Sequence, residues 1–206
     1  MSAPAPRAVV FDLGKVLLEF DFARAAHALA PDSRVSPAEF QAALDQSPLL
    51  HQFESGDLTS EEFFAEIQRR TGYRGSLDRF AGGFADIFEE IPVMVALQRE
   101  LRRRGIPTYI FSNTNDLAAR HVRDRYPFFA GFDGYVFSYQ VGAMKPRAKI
   151  YEALEALAGA QGADLLYLDD RLENVEAGAV RGWRTIHHTD HEASARQVAG
   201  LFGWSG

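Results

Sequence analysis

The chain has 206 residues, 47% of them hydrophobic, and a formal charge of −6. That is enough for one sizeable core with a smaller companion, and it runs against the basic face a nucleic-acid binder needs. There is no cysteine, which excludes a disulfide framework, a thiolate zinc site and a thiol nucleophile. Residues 1–7 are rich in Ala and Pro without the apolar core of a signal peptide, and no stretch approaches a membrane span. A cytoplasmic protein is the expectation.

In chain order, Ala8, Val9, Val10 and Phe11 form a short apolar run ending at Asp12. Residues 22–88 then read as helices without a strand. The stretch 22–29 has a helical apolar face. Ser36 with Pro37 and Glu39 makes a helix start of the capping-box kind. Thr59 or Ser60, followed by Glu61 and Glu62, starts another, and 77–88 is a further helix. After them come a helix over 93–104 that stops at Gly105, a strand run 108–111 ending at Ser112, and a run 134–137 ending near Ser138. A helix over 148–158 stops at Gly159, a run 165–168 ends at Asp169, and a helix over 174–180 precedes a last run, 184–187, that ends at His188. Strands alternating with helices predict an α/β fold, a doubly wound parallel sheet of at least five strands. The helical stretch predicts a small cap inserted after the first strand: residues 1–20 and 90–206 form the core, 21–89 the cap.

In such sheets ligands bind beyond the carboxyl ends of the strands, where this chain puts its polar residues. Asp12 is a carboxylate able to attack phosphorus and form an aspartyl-phosphate. Asp169 and Asp170 offer the hard oxygens magnesium favours. Ser112 and Lys145 can hold phosphoryl oxygens and offset developing charge. Only three of the 22 basic residues are lysines (Lys15, Lys145, Lys149), so a lysine here marks a place where a compact cation is wanted.

Four motifs in this order resemble the haloacid dehalogenase-like superfamily. They are Val10-Phe11-Asp12-Leu13-Gly14-Lys15, Ile110-Phe111-Ser112-Asn113-Thr114-Asn115, Gly142-Ala143-Met144-Lys145-Pro146, and Leu168-Asp169-Asp170 continuing to Asn174 and Val175. Their detail, with the segment Phe53-Glu54-Ser55-Gly56-Asp57, is similar to a bacterial branch containing sugar-1-phosphate phosphatases such as glucose-1-phosphate phosphatase. The resemblance implies a magnesium-dependent phosphatase acting on a small phosphorylated metabolite such as a sugar phosphate. Asp12 would be nucleophile and metal ligand, with the Gly14 carbonyl, Asp170 and, second or through water, Asp169 completing the metal site. Ser112 and the Asn113 backbone would bind the phosphoryl group, Lys145 would orient and neutralise it, and Asn174 would brace the metal loop.

The superfamily usually carries a second Asp, the general acid, where this chain has Gly14. Lys15 at the cap hinge is one candidate to face the phosphate or the leaving oxygen; Glu54, ahead of His51 and Asp57 in an expected cap loop, is the candidate to touch the substrate. Asp21 is expected to cap a helix, and Trp183 to lie in the core. Two other readings stay open. A metal-independent 2-haloacid dehalogenase would also use Asp12, though the acidic pair 169–170 argues against it. A non-catalytic phosphometabolite-binding protein would account for Gly14.

Overall fold

A computed structural model describes residues 4–45 and 47–204; the first three residues of the Ala/Pro-rich start lie outside them. The chain runs β1 (Ala8–Phe11), β2 (Leu18–Phe20), α1 (Phe22–Leu29), α2 (Pro37–Leu44), α3 (Pro48–Glu54), α4 (Ser60–Thr71), α5 (Leu77–Ala85), β3 (Phe88–Glu90) and α6 (Pro92–Arg103). It continues with β4 (Thr108–Ser112), α7 (Asp116–Arg125), β5 (Gly134–Phe137), α8 (Ser138–Val141), α9 (Ala148–Ala158), β6 (Leu165–Asp169), α10 (Leu172–Val180), β7 (Arg184–His187) and α11 (His191–Leu201).

Five of the strands form a parallel sheet in the order β5-β4-β1-β6-β7. The chain leaves β1 towards β4 and β5, then returns to the other side of β1 with β6 and β7. The change of direction falls between β1 and β6, and Asp12 and Asp169 stand at their ends. Alternation along β1 decides what covers each face. Val9 and Phe11 pack on one face with Met94, Leu101, Val122 and Val198. Ala8 and Val10 pack on the other with Ile150, Leu154, Tyr167 and Trp183. Both faces are covered, so the central strands β1, β4 and β6 are buried throughout and read as largely apolar runs.

Helices α1–α5 gather round a separate apolar cluster rich in phenylalanine, with Phe53 and Phe63 stacked at 4.4 Å. The expected caps are present: Asp21 accepts from Ala23 N–H, and Ser36 and Thr59 each close a capping box, with Glu39 and Glu62. Two expectations fail. The helix expected over 77–88 ends at Ala85, and Phe88–Glu90 pairs antiparallel with Leu18–Phe20. The region is therefore entered and left through a two-stranded ribbon instead of being purely helical. His51 and Glu54 lie on α3, not in a loop. Ser47 caps that helix through Leu50 N–H and Pro48 opens it, a start signal of the same kind as at Ser36.

Candidate active site

Asp12 directly follows β1, and its amide donates to Leu168 O at 2.9 Å, so the strand pairing itself aims the residue. Its Oδ1 accepts from Leu13 N–H at 2.7 Å and lies 3.0 Å from Lys145 Nζ. Among the described residues no donor reaches Oδ2. Lys145 is buried beneath it. Its ammonium also donates to Asp169 Oδ2 at 2.6 Å and Phe111 O at 2.8 Å, so its three protons are all engaged. Burial alone would lower the Lys145 ammonium, but the Asp12 and Asp169 carboxylates hold it above its ordinary value. The direct phosphoryl contact expected of Lys145 is therefore not prepared here: the side chain pairs with the carboxylates and does not line the cavity.

Asp169, fully buried, is just as fully occupied. Oδ1 accepts from Arg171 N–H at 2.8 Å and Asn174 Nδ2 at 3.0 Å; Oδ2 accepts from Lys145 and from the Tyr167 hydroxyl. Tyr167 precedes Asp169 by two residues and so shares its side of β6. Asn174 is locked in turn by Tyr151, whose hydroxyl donates to Asn174 O at 2.8 Å. Asp170 is different. It is half-buried on the cavity wall, and no other described residue donates to its carboxylate. Burial, then the charge of Asp169, raises its pKa. Burial likewise pushes Asp12 above the ordinary carboxylate range, Lys145 opposing and Asp169 and Asp170 adding. One carboxylate oxygen from each of Asp12, Asp169 and Asp170 lies within 4.8 Å of the others. Three carboxylates facing one ammonium leave an excess of negative charge that a divalent cation would offset.

Ser112 ends β4 and lines the cavity; its hydroxyl makes only a long bond, 3.3 Å, to Asn113 O. The Asn113 side chain is engaged elsewhere. It accepts from Lys145 N–H at 2.8 Å and donates to Lys145 O at 3.1 Å, tying the two loops together. Lys15 turns away from the cavity. It sits at φ +59, an uncommon backbone region for a side-chain-bearing residue, with Nζ 2.6 Å from Glu19 Oε2 and 3.2 Å from Phe20 O. It holds the turn into β2, which corrects the expectation that it faces the phosphate.

The space an acid at position 14 would enter is also filled: a Cβ on Gly14 would come within 2.9 Å of the Phe20 ring. A third carboxyl facing the cavity, beside Asp12 and Asp170, is Glu54 at the end of α3. Burial first, and the charge of Asp12 second, raise it to about 8 against the pull of Arg171. Its backbone is pinned to the sheet domain: Ser138 Oγ accepts from Thr114 N–H at 2.9 Å and donates to Glu54 O at 2.5 Å. Two residues on, a Cβ on Gly56 would lie 2.4 Å from Tyr139 O, so only glycine allows this close approach.

The cavity measures about 430 Å³, within the range of small-molecule sites. Asp12, Ser112 and Asp170 form its floor; Phe20, Phe22, Leu50, Phe84, Ile87 and Phe88 form most of its roof. Sequence reasoning missed every one of these roof residues, because an apolar side chain facing a cavity carries the same signal as one facing the core. Tyr167 had a signal, its two-residue offset from Asp169.

A family model described as haloacid dehalogenase-like hydrolase matches residues 6–182. The chain belongs to that family. The match takes in β1, β4 and β6, and thus all the floor residues. Among curated relatives, the sesquiterpene phosphatase astK of Aspergillus oryzae is 26% identical over 200 residues, 96% of this chain and 97% of that protein. The D-ribitol-5-phosphate phosphatase of Bacteroides thetaiotaomicron is 23% identical over 187 residues, 86% and 89% of the two chains. Among solved structures, the haloacid dehalogenase family enzyme bt-2542 of the same bacterium, in complex with magnesium and inorganic phosphate, superposes with a TM-score of 0.76 at 22% identity, over 88% of this chain and 93% of that one. That likeness gives the fold. The family assignment makes this chain a hydrolase. Among the described residues no helix is long and apolar enough to cross a membrane.

Proposed function

We propose that this hydrolase is a magnesium-dependent phosphatase that cleaves a small phosphomonoester through an aspartyl-phosphate on Asp12. The observation carrying this reading is the pairing of an unpartnered Asp12 Oδ2 with an unpartnered Asp170 carboxylate on the floor of one cavity.

The residues fit magnesium: clustered hard oxygens, an excess of negative charge, and a carboxylate on Asp170 that no other side chain engages. Asp12, Asp170 and the Gly14 carbonyl would hold the ion, with Asp169, all its acceptor positions taken, in an outer role. The bound ion would neutralise phosphoryl oxygens and lower the repulsion that the substrate dianion meets at Asp12. Lys145 opposes the protonation that burial favours at Asp12 and Asp169, Ser112 and the Asn113 backbone receive the phosphoryl oxygens, and Asn174 braces Asp169.

The proton comes from Glu54. As Asp12 Oδ2 forms its bond to phosphorus, the bond to the ester oxygen breaks, and that oxygen leaves with the electron pair and the Glu54 proton. Water then attacks the aspartyl-phosphate and gives a proton back to Glu54, restoring both carboxyls. General acid help of this kind is worth roughly 10²–10⁴-fold. Residues 21–89 act as a cap that carries Glu54 and excludes water.

The relatives named above are a sesquiterpene phosphatase and a polyol-phosphate phosphatase, and the sequence resemblance suggests a sugar phosphate. A cytoplasmic setting belongs to the same reading. The test is phosphate release from a panel of phosphomonoesters with and without chelator, beside Asp12→Asn. Release that needs magnesium and Asp12 is expected. Equal rates in wild type and variant, or chelator-resistant halide release from 2-haloacids, would overturn the reading.

A further inference from the structure

Away from Asp12 one part of the cavity wall is a row of apolar side chains. Phe88, Phe20, Phe22 and Phe84 adjoin one another in that order, with ring centroids 6.3, 5.9 and 6.1 Å apart, and Leu50 and Ile87 also line the cavity. Phe20 and Phe88 are only partly buried, so they keep surface for a ligand.

Several polar groups of the lining are already engaged, which leaves the His51, Thr114 and Glu54 side chains open to a guest. Ser47 and Asn115 cap α3 and α7, accepting from Leu50 N–H and Ala118 N–H. The Asn113 amide is closed on Lys145, and the Arg171 guanidinium pairs with Glu173. A polyol chain would find open partners only at His51, Thr114 and Glu54, and hydroxyls set against the phenylalanine row would be left without any. A hydrocarbon would lose nothing and would exchange water contact for aromatic surface.

We infer that the cavity takes the monophosphate ester of an apolar alcohol, a branched hydrocarbon chain or ring, with the phosphate at Asp12 and the hydrocarbon against the phenylalanine wall. This rests on the phosphatase reading above. It also accounts for the ring of Phe20 over Gly14: the apolar wall extends to the reacting centre and occupies the room of the missing acid. An aliphatic alkoxide is a poor leaving group, and Glu54 at the cavity edge supplies its proton.

The experiment has two arms on the wild-type protein. Phosphate release is measured from decyl and geranyl phosphates against ribitol 5-phosphate and glucose 1-phosphate, and binding of decylphosphonate is followed by calorimetry at several temperatures. The apolar esters should show kcat/KM higher by about tenfold or more, and the phosphonate should bind with a negative heat-capacity change. In Phe88→Ser and Phe20→Ser that preference should shrink. Faster release from the polyol or sugar ester would overturn this inference and leave the phosphatase reading standing. No release from any ester, with the phosphonate still bound, would overturn the phosphatase reading and leave the apolar cavity standing. Neither release nor binding would overturn both.

Discussion

At the floor of the cavity, along the carboxyl ends of β1, β4 and β6, every proton of Lys145 and every acceptor position of Asp169 has a named partner. At the roof, α1, α5 and the β2–β3 ribbon present side chains with no polar atoms. In the floor each group is fixed by the next, so a single loss strands a buried charge. The apolar side chains of the roof hold their places by packing, so they can be altered without touching the reacting atoms. On the proposed reading the sheet carries the nucleophile and the metal site, and the helical layer carries the proton donor Glu54 and the choice of substrate.

The strongest way to break that comparison is to cut the floor at its centre. Lys145→Met leaves the buried carboxylates of Asp12 and Asp169 without their cation, and should cost about 3–5 kcal/mol of stability, read as a fall in the denaturant midpoint at unchanged slope. In whatever fraction remains folded, activity should drop on every ester alike. A variant that lost one ester and kept another would blur floor and roof.

His51 and Glu54 line the cavity from α3, and on the proposed mechanism Glu54 donates the proton, which sharpens the comparison. The acid form is the donor, so its contribution is present below its pKa and lost as pH rises through about 8. The rate on an alkyl ester should therefore fall tenfold per pH unit above that value. Glu54→Gln should lower it by roughly 10²–10⁴-fold and flatten the alkaline limb, with a much smaller loss on 4-nitrophenyl phosphate, whose leaving group needs no proton. Equal losses on both esters would remove Glu54 from the proton path.

The smallest effect is expected at Lys15. Its ion pair with Glu19 is exposed on both sides and outside the cavity, so Lys15→Ala should change stability by less than about 1 kcal/mol and leave the ester preference as it was. A large rise in KM would return Lys15 to the substrate.

The floor was legible because its signal is chemical: a carboxylate, a serine or a lysine ending a short apolar run is unusual, and Asp12, Ser112, Asp169 and Asp170 all stand where the runs predict. Lys145 was found, but its partners were not, since only the fold brings Phe111 O and Asp169 to its ammonium. The roof was not legible. Phe22 and Phe84 have the spacing of core residues and are core residues, touching both the helical cluster and the cavity. The strand at Phe88–Glu90 was missed because helical spacing from Leu77 runs on into it, and tertiary pairing with Leu18–Phe20 overrides the local pattern.

The central claim, that phosphorus passes through the Asp12 carboxylate, is tested most directly by trapping. Wild-type enzyme is mixed with magnesium and a turning-over ester, quenched in acid, reduced with borohydride and digested for mass spectrometry. An acyl phosphate on Asp12 predicts conversion of that one side chain to homoserine, in wild type and not in Asp12→Asn. Continued turnover with Asp12 unmodified under the same quench, or the mark appearing on Asp170 or Glu54, would contradict the account.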